Sequence, residues 1–281
     1  MRRKYVDLHI HTTFSDGLLD PCQLVEEAKE RRIAAIGITD HDTMQGVGCA
    51  EAAGRKHGVE VVPGVELSVV FAGKEIHLLG YFCHPENSLL KNTLGVIKAS
   101  RFDRMSKMID KLKELGVNIE LAEVLEQAGG KMPGRPHLAM AICRKGYCRT
   151  PAEVFAKYIG NHCQAYVDRY KLTLQEALKL FYEAGGIPVL AHPGLYKADE
   201  IIPSMVSMGL RGIEVFHPEH GSADRYRYIK IAREYNLLIT GGSDYHGKGL
   251  GSSDFIGTVK LDYSYLDKLK AAKASLFEKM I

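Results

Sequence analysis

The sequence predicts an α/β fold built on a parallel sheet or barrel, and three observations support this prediction. Short apolar runs alternate with segments of helical periodicity, an order typical of parallel strands joined by helices. Histidines and acidic residues recur where these runs end, and barrel enzymes carry their active sites at the carboxyl ends of their strands. The chain has 281 residues, of which 46% are hydrophobic, enough for one large domain or a domain with an insertion.

The first predicted strand, from Val6 to Ile10, places two histidines on one face. His9 and His11 are two residues apart, so in an extended chain their imidazoles project to the same side and can reach one metal ion. Asp16 follows in a Ser-Asp-Gly turn, where its carboxylate can approach from the loop. Taken alone, the stretch is also compatible with a strand that carries two chance histidines.

The chain then alternates between helices and strands as far as residue 84. Asp20 and Pro21 predict the start of a helix that ends near Arg32, because Asp favours the cap and Pro the first turn. The elements predicted next are a strand at 34–39 before Asp40, His41 and Asp42, a helix at 50–57, a strand at 60–66 that ends on Glu66, and a strand at 75–82 that carries His77.

The character of the sequence changes near residue 92, where strand patterns give way to helical ones. The helices predicted there are 92–115, 121–127, 136–145 and 151–158. Thr150 and Glu153 have the spacing of a capping box before the last of them. We therefore expect a helical insertion at 92–165 between a first barrel part at 1–91 and a second part at 166–281.

The alternation of strands and helices resumes at Thr173, which has capping-box spacing to Glu176. The elements predicted there are strands at 187–191, 212–216 and 237–240, and helices at 173–184, 223–235 and 265–279. The three strands lead into His192, into His217, and into the run that contains Asp244 and His246.

Ten histidine and acidic side chains are thus candidates for one site. They are His9, His11, Asp16, Asp40, His41, Glu66, His77, His192, Asp244 and His246. Any one of them alone is more often structural, and a histidine such as His77 could simply be a satisfied core residue. Burying so many ionisable groups together without a cation would be costly. Imidazole and carboxylate suit Zn²⁺, Mn²⁺ or Fe²⁺, and their number predicts two or three divalent metal ions.

Six motifs resemble those of the PHP family, the polymerase and histidinol phosphatase domain. They are His9-Ile10-His11-Thr12, Ser15-Asp16-Gly17, Thr39-Asp40-His41-Asp42, Gly64-Val65-Glu66, Ala191-His192-Pro193 and Ser243-Asp244-Tyr245-His246. Their order and spacing match the family pattern over residues 5–84 and 187–258. Gly134-Arg135-Pro136-His137, in the helical region, is similar to the TrpH-like branch, which includes 3′,5′-nucleoside bisphosphate phosphatases and exonucleases that act on short RNA.

The resemblance implies a TIM-like, distorted (β/α)7 barrel with a helical insertion and a trinuclear metal site. It implies three ligand sets: His9, His11, Glu66 and Asp244 for the first metal, Glu66, His77 and His192 for the second, and Asp16, His41 and His246 for the third. Asp40 is left without a metal, and we expect it to orient a ligand histidine.

No protein nucleophile is expected, because a metal-bound hydroxide can attack a phosphate ester. The sequence contains neither a Gly-x-Ser-x-Gly elbow nor a Walker A loop. The candidate catalytic side chains are His192 and His137. The candidates for substrate binding are Arg135, His137 and His217, with Arg135 first because its guanidinium can pair bidentately with phosphate. An ordinary surface salt bridge is the alternative for Arg135.

The expected activity is metal-dependent hydrolysis of a phosphate monoester of a nucleotide, such as a 3′,5′-nucleoside bisphosphate, or of a short oligonucleotide. Two alternatives stay open: a phosphatase for another small monoester such as histidinol phosphate, and a non-catalytic module that serves a polymerase or another partner. A substrate panel separates the first two, whereas the third predicts missing metal ligands.

The composition limits partners and location. The formal net charge of +3 is too small to indicate stable binding of duplex nucleic acid. No apolar run approaches the roughly 20 residues of a membrane span, and no secretory leader is recognisable. The six cysteines contain no CxxC pair and read as mostly buried free thiols, so a cytoplasmic protein is expected.

Overall fold

The computed structural model describes residues 3–129, 132–197 and 199–278, and the chain divides into two compact units. The first unit joins Met1–Asn92 to Lys171–Ile281, and the second is Thr93–Tyr170. The insertion predicted from the sequence runs from 92 to 165. Each unit has its own apolar core, and the candidate ligands predicted from the sequence belong to the first unit.

The first unit is built on a sheet that has nine strands among the described residues. They are β1 (Tyr5–Ile10), β2 (Ile33–Ile38), β3 (Glu60–Phe71), β4 (Lys74–Tyr81), β5 (Leu172–Thr173), β6 (Ile187–Leu190), β7 (Gly212–Phe216), β8 (Leu238–Gly241) and β9 (Leu261–Asp262). Their order is β8-β7-β6-β4-β3-β2-β1-β9, and β5 pairs with β3. β4 is antiparallel to both of its neighbours, and the short β9 is antiparallel to β1, whereas the other neighbouring strands are parallel.

The two ends of the sheet approach each other where β1 meets the segment after β8. The Asp244 N–H donates to the carbonyl oxygen of His9 over 2.9 Å, and the His11 N–H donates to that of Tyr245 over 3.0 Å. Gly242 permits this approach, because a Cβ at that position would lie 2.4 Å from the backbone nitrogen of His9. The sheet is therefore a nearly closed barrel, and the antiparallel β4 is its main departure from a parallel one.

Ten α-helices are present in the described residues. They are α1 (Pro21–Glu30), α2 (Val47–His57), α3 (Ser88–Glu114), α4 (Leu121–Ala128), α5 (Arg135–Arg144), α6 (Pro151–Val154), α7 (Leu174–Glu183), α8 (Ile202–Ser207), α9 (Ser222–Glu234) and α10 (Tyr263–Glu278). Asp20 caps α1 by accepting from the backbone N–H of Cys22 and of Gln23, as predicted. The capping box of Thr173 and Glu176 at α7 is also confirmed.

Apolar periodicity explains which faces are buried. On β1 the apolar Val6, Leu8 and Ile10 are 0% exposed and each contributes roughly 1.5–3 kcal/mol by burial, while the polar Asp7 and His9 of the other face are buried as well. The core of the second unit contains the predicted apolar side of α3, which is Met105, Met108, Ile109 and Leu112, together with Leu138 and Ile142 of α5.

Two predictions were wrong in detail. β3 does not end on Glu66, because the apolar run after it continues the strand to Phe71, where β4 supplies the partner. The cysteines are free, but only Cys83 and Cys148 of the six are buried, since several lie on helix faces that the core does not cover. Among the described residues, no helix is both long and apolar enough to cross a membrane.

Candidate metal centre

Four ligand atoms from three distant parts of the chain meet inside the barrel. They belong to His9 and His11 at the end of β1, Glu66 within β3, and Asp244 after β8. His9 Nε2 lies 3.2 Å from Glu66 Oε2 and 3.3 Å from Asp244 Oδ1. His11 Nε2 lies 3.2 Å and 3.1 Å from the same two oxygens.

This spacing fits a tetrahedral metal site. Ligands at about 2.0–2.1 Å from a central ion would lie about 3.3–3.4 Å from one another, close to the four distances observed. In the described residues, His11 Nε2 and Asp244 Oδ1 are buried and make no hydrogen bond, although they are only 3.1 Å apart. Atoms whose lone pairs converge on a shared cation, and not on each other, have this arrangement. The donor set therefore fits a divalent ion.

Glu66 is shared with a second group of ligands. Its Oε2 also lies 3.2 Å from His41 Nδ1, while its Oε1 lies 2.8 Å from His77 Nδ1 and 3.0 Å from His192 Nε2. His41, Glu66 and His77 each offer one atom within a common ligand distance. His192 contacts the same carboxylate but lies outside that group, so its place beside His77 as a metal ligand stays a prediction.

A third group surrounds Asp16 in the turn after β1. Its members are His11, Asp16, His41 and His246, so that two histidines of the other groups take part here as well. Asp16 Oδ1 lies 3.5 Å from His11 Nδ1 and 3.4 Å from His246 Nε2, and its Oδ2 lies 3.8 Å from His41 Nε2. His246 Nδ1–H donates to the carbonyl oxygen of Asp244 over 2.9 Å, which leaves Nε2 as the ligand atom.

The protein's own charges control the protonation of these histidines. Burial alone would lower the pKa of His11, but the carboxylates of Asp244 and Glu66 raise it to about 10. Burial dominates at His41 and lowers its pKa to about 4. The surrounding histidines hold the pKa of Glu66 and of Asp244 well below their ordinary values despite burial. Without a cation, protons on the histidines balance these carboxylates, and a metal ion must displace them.

Two groups that orient ligand histidines were not found from the sequence. Glu214, in the middle of β7, accepts from His9 Nδ1–H over 3.1 Å. The Tyr196 hydroxyl lies 2.8 Å from His192 Nδ1 and accepts from the backbone N–H of His77 over 2.9 Å. A carboxylate inside an otherwise apolar strand was the available signal for Glu214, whereas nothing in the pattern around Tyr196 distinguishes it from a loop tyrosine.

Asp40 and His217 make hydrogen bonds that the sequence did not predict, and their expected roles stay predictions. Within the described residues, Asp40 hydrogen-bonds to Thr12 and Ser15 and not to a histidine, so it fixes the loop that carries Asp16. His217, predicted to bind substrate, is 0% exposed, and its Nε2–H donates to Asp244 Oδ2 over 3.4 Å. Its Nδ1 accepts from the backbone N–H of Glu219, so both ring nitrogens are engaged.

Arg135 and His137 belong to the second unit, where Arg135 is the first residue of α5 and not part of a preceding turn. The Arg135 guanidinium donates to the carbonyl oxygen of Ile159 and, over 3.0 Å, to Asn161 Oδ1. His137 Nδ1 accepts from the backbone N–H of Gly134 at the start of the helix. Their roles toward a substrate stay predictions.

Residues 7–186 match the family described as the PHP domain. The chain belongs to this family. One PHP relative, the phosphoribosyl 1,2-cyclic phosphate 1,2-diphosphodiesterase of Eggerthella lenta, is 33% identical over 86% of this chain and 94% of its own length. The 3′,5′-nucleoside bisphosphate phosphatase of Chromobacterium violaceum is 30% identical over 89% of this chain and 90% of its own. The 5′-3′ exoribonuclease Rnm of Escherichia coli is 30% identical, with 85% and 84% covered.

Solved structures show the same PHP fold. A protein of Bifidobacterium adolescentis, assigned as a metal-dependent phosphoesterase, superposes with a TM-score of 0.82 at 30% identity and covers 95% of this chain and 96% of its own. An amidohydrolase of Chromobacterium violaceum, solved with bound sulfate and no metal, gives a TM-score of 0.77 at 28% identity with the same coverage. The predicted family and the barrel fold with its added helices are thus confirmed. The predicted class of activity is confirmed too: this PHP protein is a metal-dependent phosphoesterase.

Proposed function

We propose that this phosphoesterase removes phosphate from a nucleotide, with a 3′,5′-nucleoside bisphosphate as the leading substrate and a short oligonucleotide as a related one. The observation that carries the proposal is the cluster of three ligand groups, which share Glu66, His11 and His41. The two oxygens of the Glu66 carboxylate can hold two cations close together, as a phosphate ester requires when its attacking and leaving oxygens must both be stabilised, whereas each neutral imidazole can bind only one. Among the described residues, the groups offer ligands for two or three divalent ions, for which Mn²⁺, Zn²⁺ and Fe²⁺ are the candidates.

The residues proposed to hold the ions keep the sets implied by the motifs, with one addition. His9, His11, Glu66 and Asp244 form the first set, Glu66, His77 and His192 the second, and Asp16, His41 and His246 the third. That addition is His41 as an alternative member of the second set in place of the third, because its Nδ1 lies 3.2 Å from Glu66 Oε2 and a neutral imidazole binds only one ion. Nitrogen and carboxylate ligands, with no cysteine, suit the three metals named above.

Divalent ions, when bound, lower the pKa of water toward neutrality and neutralise the phosphoryl oxygens. The chain's own residues position the substrate and move protons. His192 is proposed for proton transfer only as an alternative to its role as a ligand, because its Nδ1 contacts the Tyr196 hydroxyl and its Nε2 contacts Glu66 Oε1.

Arg135 stays the proposed residue for phosphate binding, and its surroundings within the helical unit support this proposal. Arg135 and Arg104 both lie over the ring of Tyr166, at 5.4 Å and 5.6 Å from its centroid. Burial lowers the pKa of Arg104, and the nearby positive charge of Arg135 lowers it further. Neither arginine pairs with a carboxylate among the described residues. Two guanidinium groups brought together without an acid favour binding of an anion such as phosphate.

A second candidate substrate is a cyclic phosphate. The relative that acts on a phosphoribosyl 1,2-cyclic phosphate is 33% identical to this chain, slightly more than the 30% of the bisphosphate phosphatase. The same metal cluster could open a cyclic diester before it removes the resulting monoester. Histidinol phosphate remains the third candidate. It carries a single phosphate, so it needs the metal cluster but no second binding site for an anion.

The test is release of phosphate from these compounds by the purified protein. We would assay a 3′,5′-nucleoside bisphosphate, a phosphoribosyl 1,2-cyclic phosphate, histidinol phosphate and a short 5′-phosphorylated RNA, each with Mn²⁺ and with EDTA. Turnover of the bisphosphate or the RNA that EDTA abolishes supports the proposal. Turnover of only the cyclic phosphate or histidinol phosphate would replace the substrate. A metal-loaded protein inactive on all four would revive the non-catalytic alternative.

A further inference from the structure

Glu214 is a buried carboxylate that lies outside all three ligand groups. It occupies the middle of β7, it is 0% exposed, and the other residues of the strand are glycine or apolar. A charged group in such a place costs several kcal/mol unless its neighbours compensate it. The contacts of the Glu214 carboxylate therefore show which groups compensate its burial.

Two proposed metal ligands surround the Glu214 carboxylate. His9 Nδ1–H faces both oxygens, at 3.1 Å from Oε1 and 3.2 Å from Oε2. The backbone N–H of His192 donates to Oε2 over 2.8 Å. The rings of His9 and His192 stack with their centroids 5.6 Å apart.

The first contact determines which nitrogen of His9 can bind a metal. Because Nδ1 carries the proton that Glu214 accepts, the lone pair is on Nε2, the atom that faces Glu66 and Asp244. A carboxylate on the far nitrogen also holds the ring in one orientation and increases its basicity as a ligand.

The second contact holds the backbone of His192. This residue has φ 26°, a positive value that residues other than glycine rarely adopt. The hydrogen bond from its N–H to Glu214 secures that conformation, and the ring then reaches Glu66 with Nε2 3.0 Å from Oε1. One carboxylate thus holds a histidine at each oxygen of Glu66.

We infer that Glu214 is a positioning residue that sets the affinity for metal ions on both sides of Glu66. It touches neither substrate nor reacting atoms in this role and acts through His9 and His192. The inference rests on the proposed metal cluster and adds a residue to it. It predicts that one substitution, remote from the ions, weakens two metal sites together.

The test is metal binding by Glu214→Gln, measured apart from turnover. The amide keeps the shape of the side chain, but it removes the negative charge that both contacts share and presents an N–H₂ group to one of the two N–H donors, so both His9 and His192 are held less firmly. Protein stripped with EDTA is titrated with Mn²⁺ by calorimetry, and its metal content is measured after dialysis. We expect about 10–100-fold weaker binding at two sites. Glu219→Gln, an exposed residue in the loop after β7, is the matched control and should bind as wild type.

The outcomes separate this inference from the proposed function. A wild-type protein that binds no Mn²⁺, Zn²⁺ or Fe²⁺ would refute the metal cluster itself. Wild-type binding together with unchanged affinity in folded Glu214→Gln would overturn only the role of Glu214. A purely structural role would lower the melting temperature of the metal-free variant without changing its Mn²⁺ affinity. If the Gln variant does not fold, Glu214→Asp replaces it, since the shorter side chain retracts from one partner; unchanged affinity there also overturns the inference.

Discussion

Glu66→Gln should separate the charge of the metal centre from its shape. Among the described residues, the carboxylate of Glu66 contacts five histidines, three at Oε2 and two at Oε1. Glutamine has the same size and keeps one oxygen for coordination, but it removes the negative charge shared by two ligand groups. A carboxylate about 4 Å from a unit positive charge contributes about 4 kcal/mol at an effective dielectric constant of about 20. This corresponds to about a thousandfold in affinity, and a divalent ion should lose at least as much.

The assay for Glu66→Gln combines metal content after dialysis, Mn²⁺ affinity by calorimetry and phosphate release. We expect metal content and turnover to fall close to zero, while circular dichroism shows a folded barrel. Glu30→Gln is the control. Glu30 is exposed on α1, so this substitution removes the same charge far from the ligand groups. A folded Glu66→Gln protein with wild-type metal content and turnover would refute the assignment of Glu66 as the shared ligand.

Four further predictions concern protons, the substrate and the barrel. Acidification from about pH 8 to about pH 5 should lower metal content and phosphate release together, because protons compete for the imidazoles; loss of activity with metal retained would contradict this. The pKa of His11 is raised to about 10, so metal-free protein should keep this stabilisation below about pH 6.5 and lose it as pH rises toward 10, which thermal melts can follow. Arg135→Lys should raise KM about tenfold with little change in kcat, since lysine lacks the planar fork; an unchanged KM would remove Arg135 from the substrate. Gly242→Ala should lower the free energy of unfolding by about 1–3 kcal/mol through its clash with His9, whereas Gly48→Ala, which meets nothing within 4 Å on α2, should raise it by about 0.5–1 kcal/mol.

Local chemistry made most of the fold predictable. Asp20 and Pro21 start α1 because their capping interactions involve neighbours only a few residues away. Thr173 and Glu176 define the start of α7 for the same reason. Thr150 also caps α6. The Glu153 side chain, however, accepts from the backbone N–H of Arg149, so the second hydrogen bond of the predicted capping box is shifted by one residue. Short elements such as α8 and β9 were not predicted, since a few residues give no period to detect.

The sequence predicted which residues form the ligand groups better than it predicted their hydrogen-bond partners. The spacing of His9 and His11 follows from the two-residue period of a strand, which is a local property. Asp40 was assigned to a histidine, yet its partners are Thr12 and Ser15, because hydrogen-bond partners depend on how a loop returns to the barrel. The role of Glu214 depends on a pair of residues separated by 205 positions, which no local pattern records.

The antiparallel β4 explains how one carboxylate can serve so many histidines. β3 pairs with β2 only as far as Pro63, and beyond that point it runs beside β4, with Glu66 opposite Leu79 and Ser68 opposite His77. On its other side, Glu66 pairs with the segment after β2, because the Asp42 N–H donates to the carbonyl oxygen of Glu66 over 2.9 Å and the Glu66 N–H donates to that of Asp40 over 3.2 Å. Because β3 continues to Phe71, Glu66 is held within the sheet, 0% exposed, with His77 approaching from β4. The feature that the sequence pattern missed, the continuation of β3 beside β4, thus gives Glu66 a neighbour on each side and brings His77 to its carboxylate.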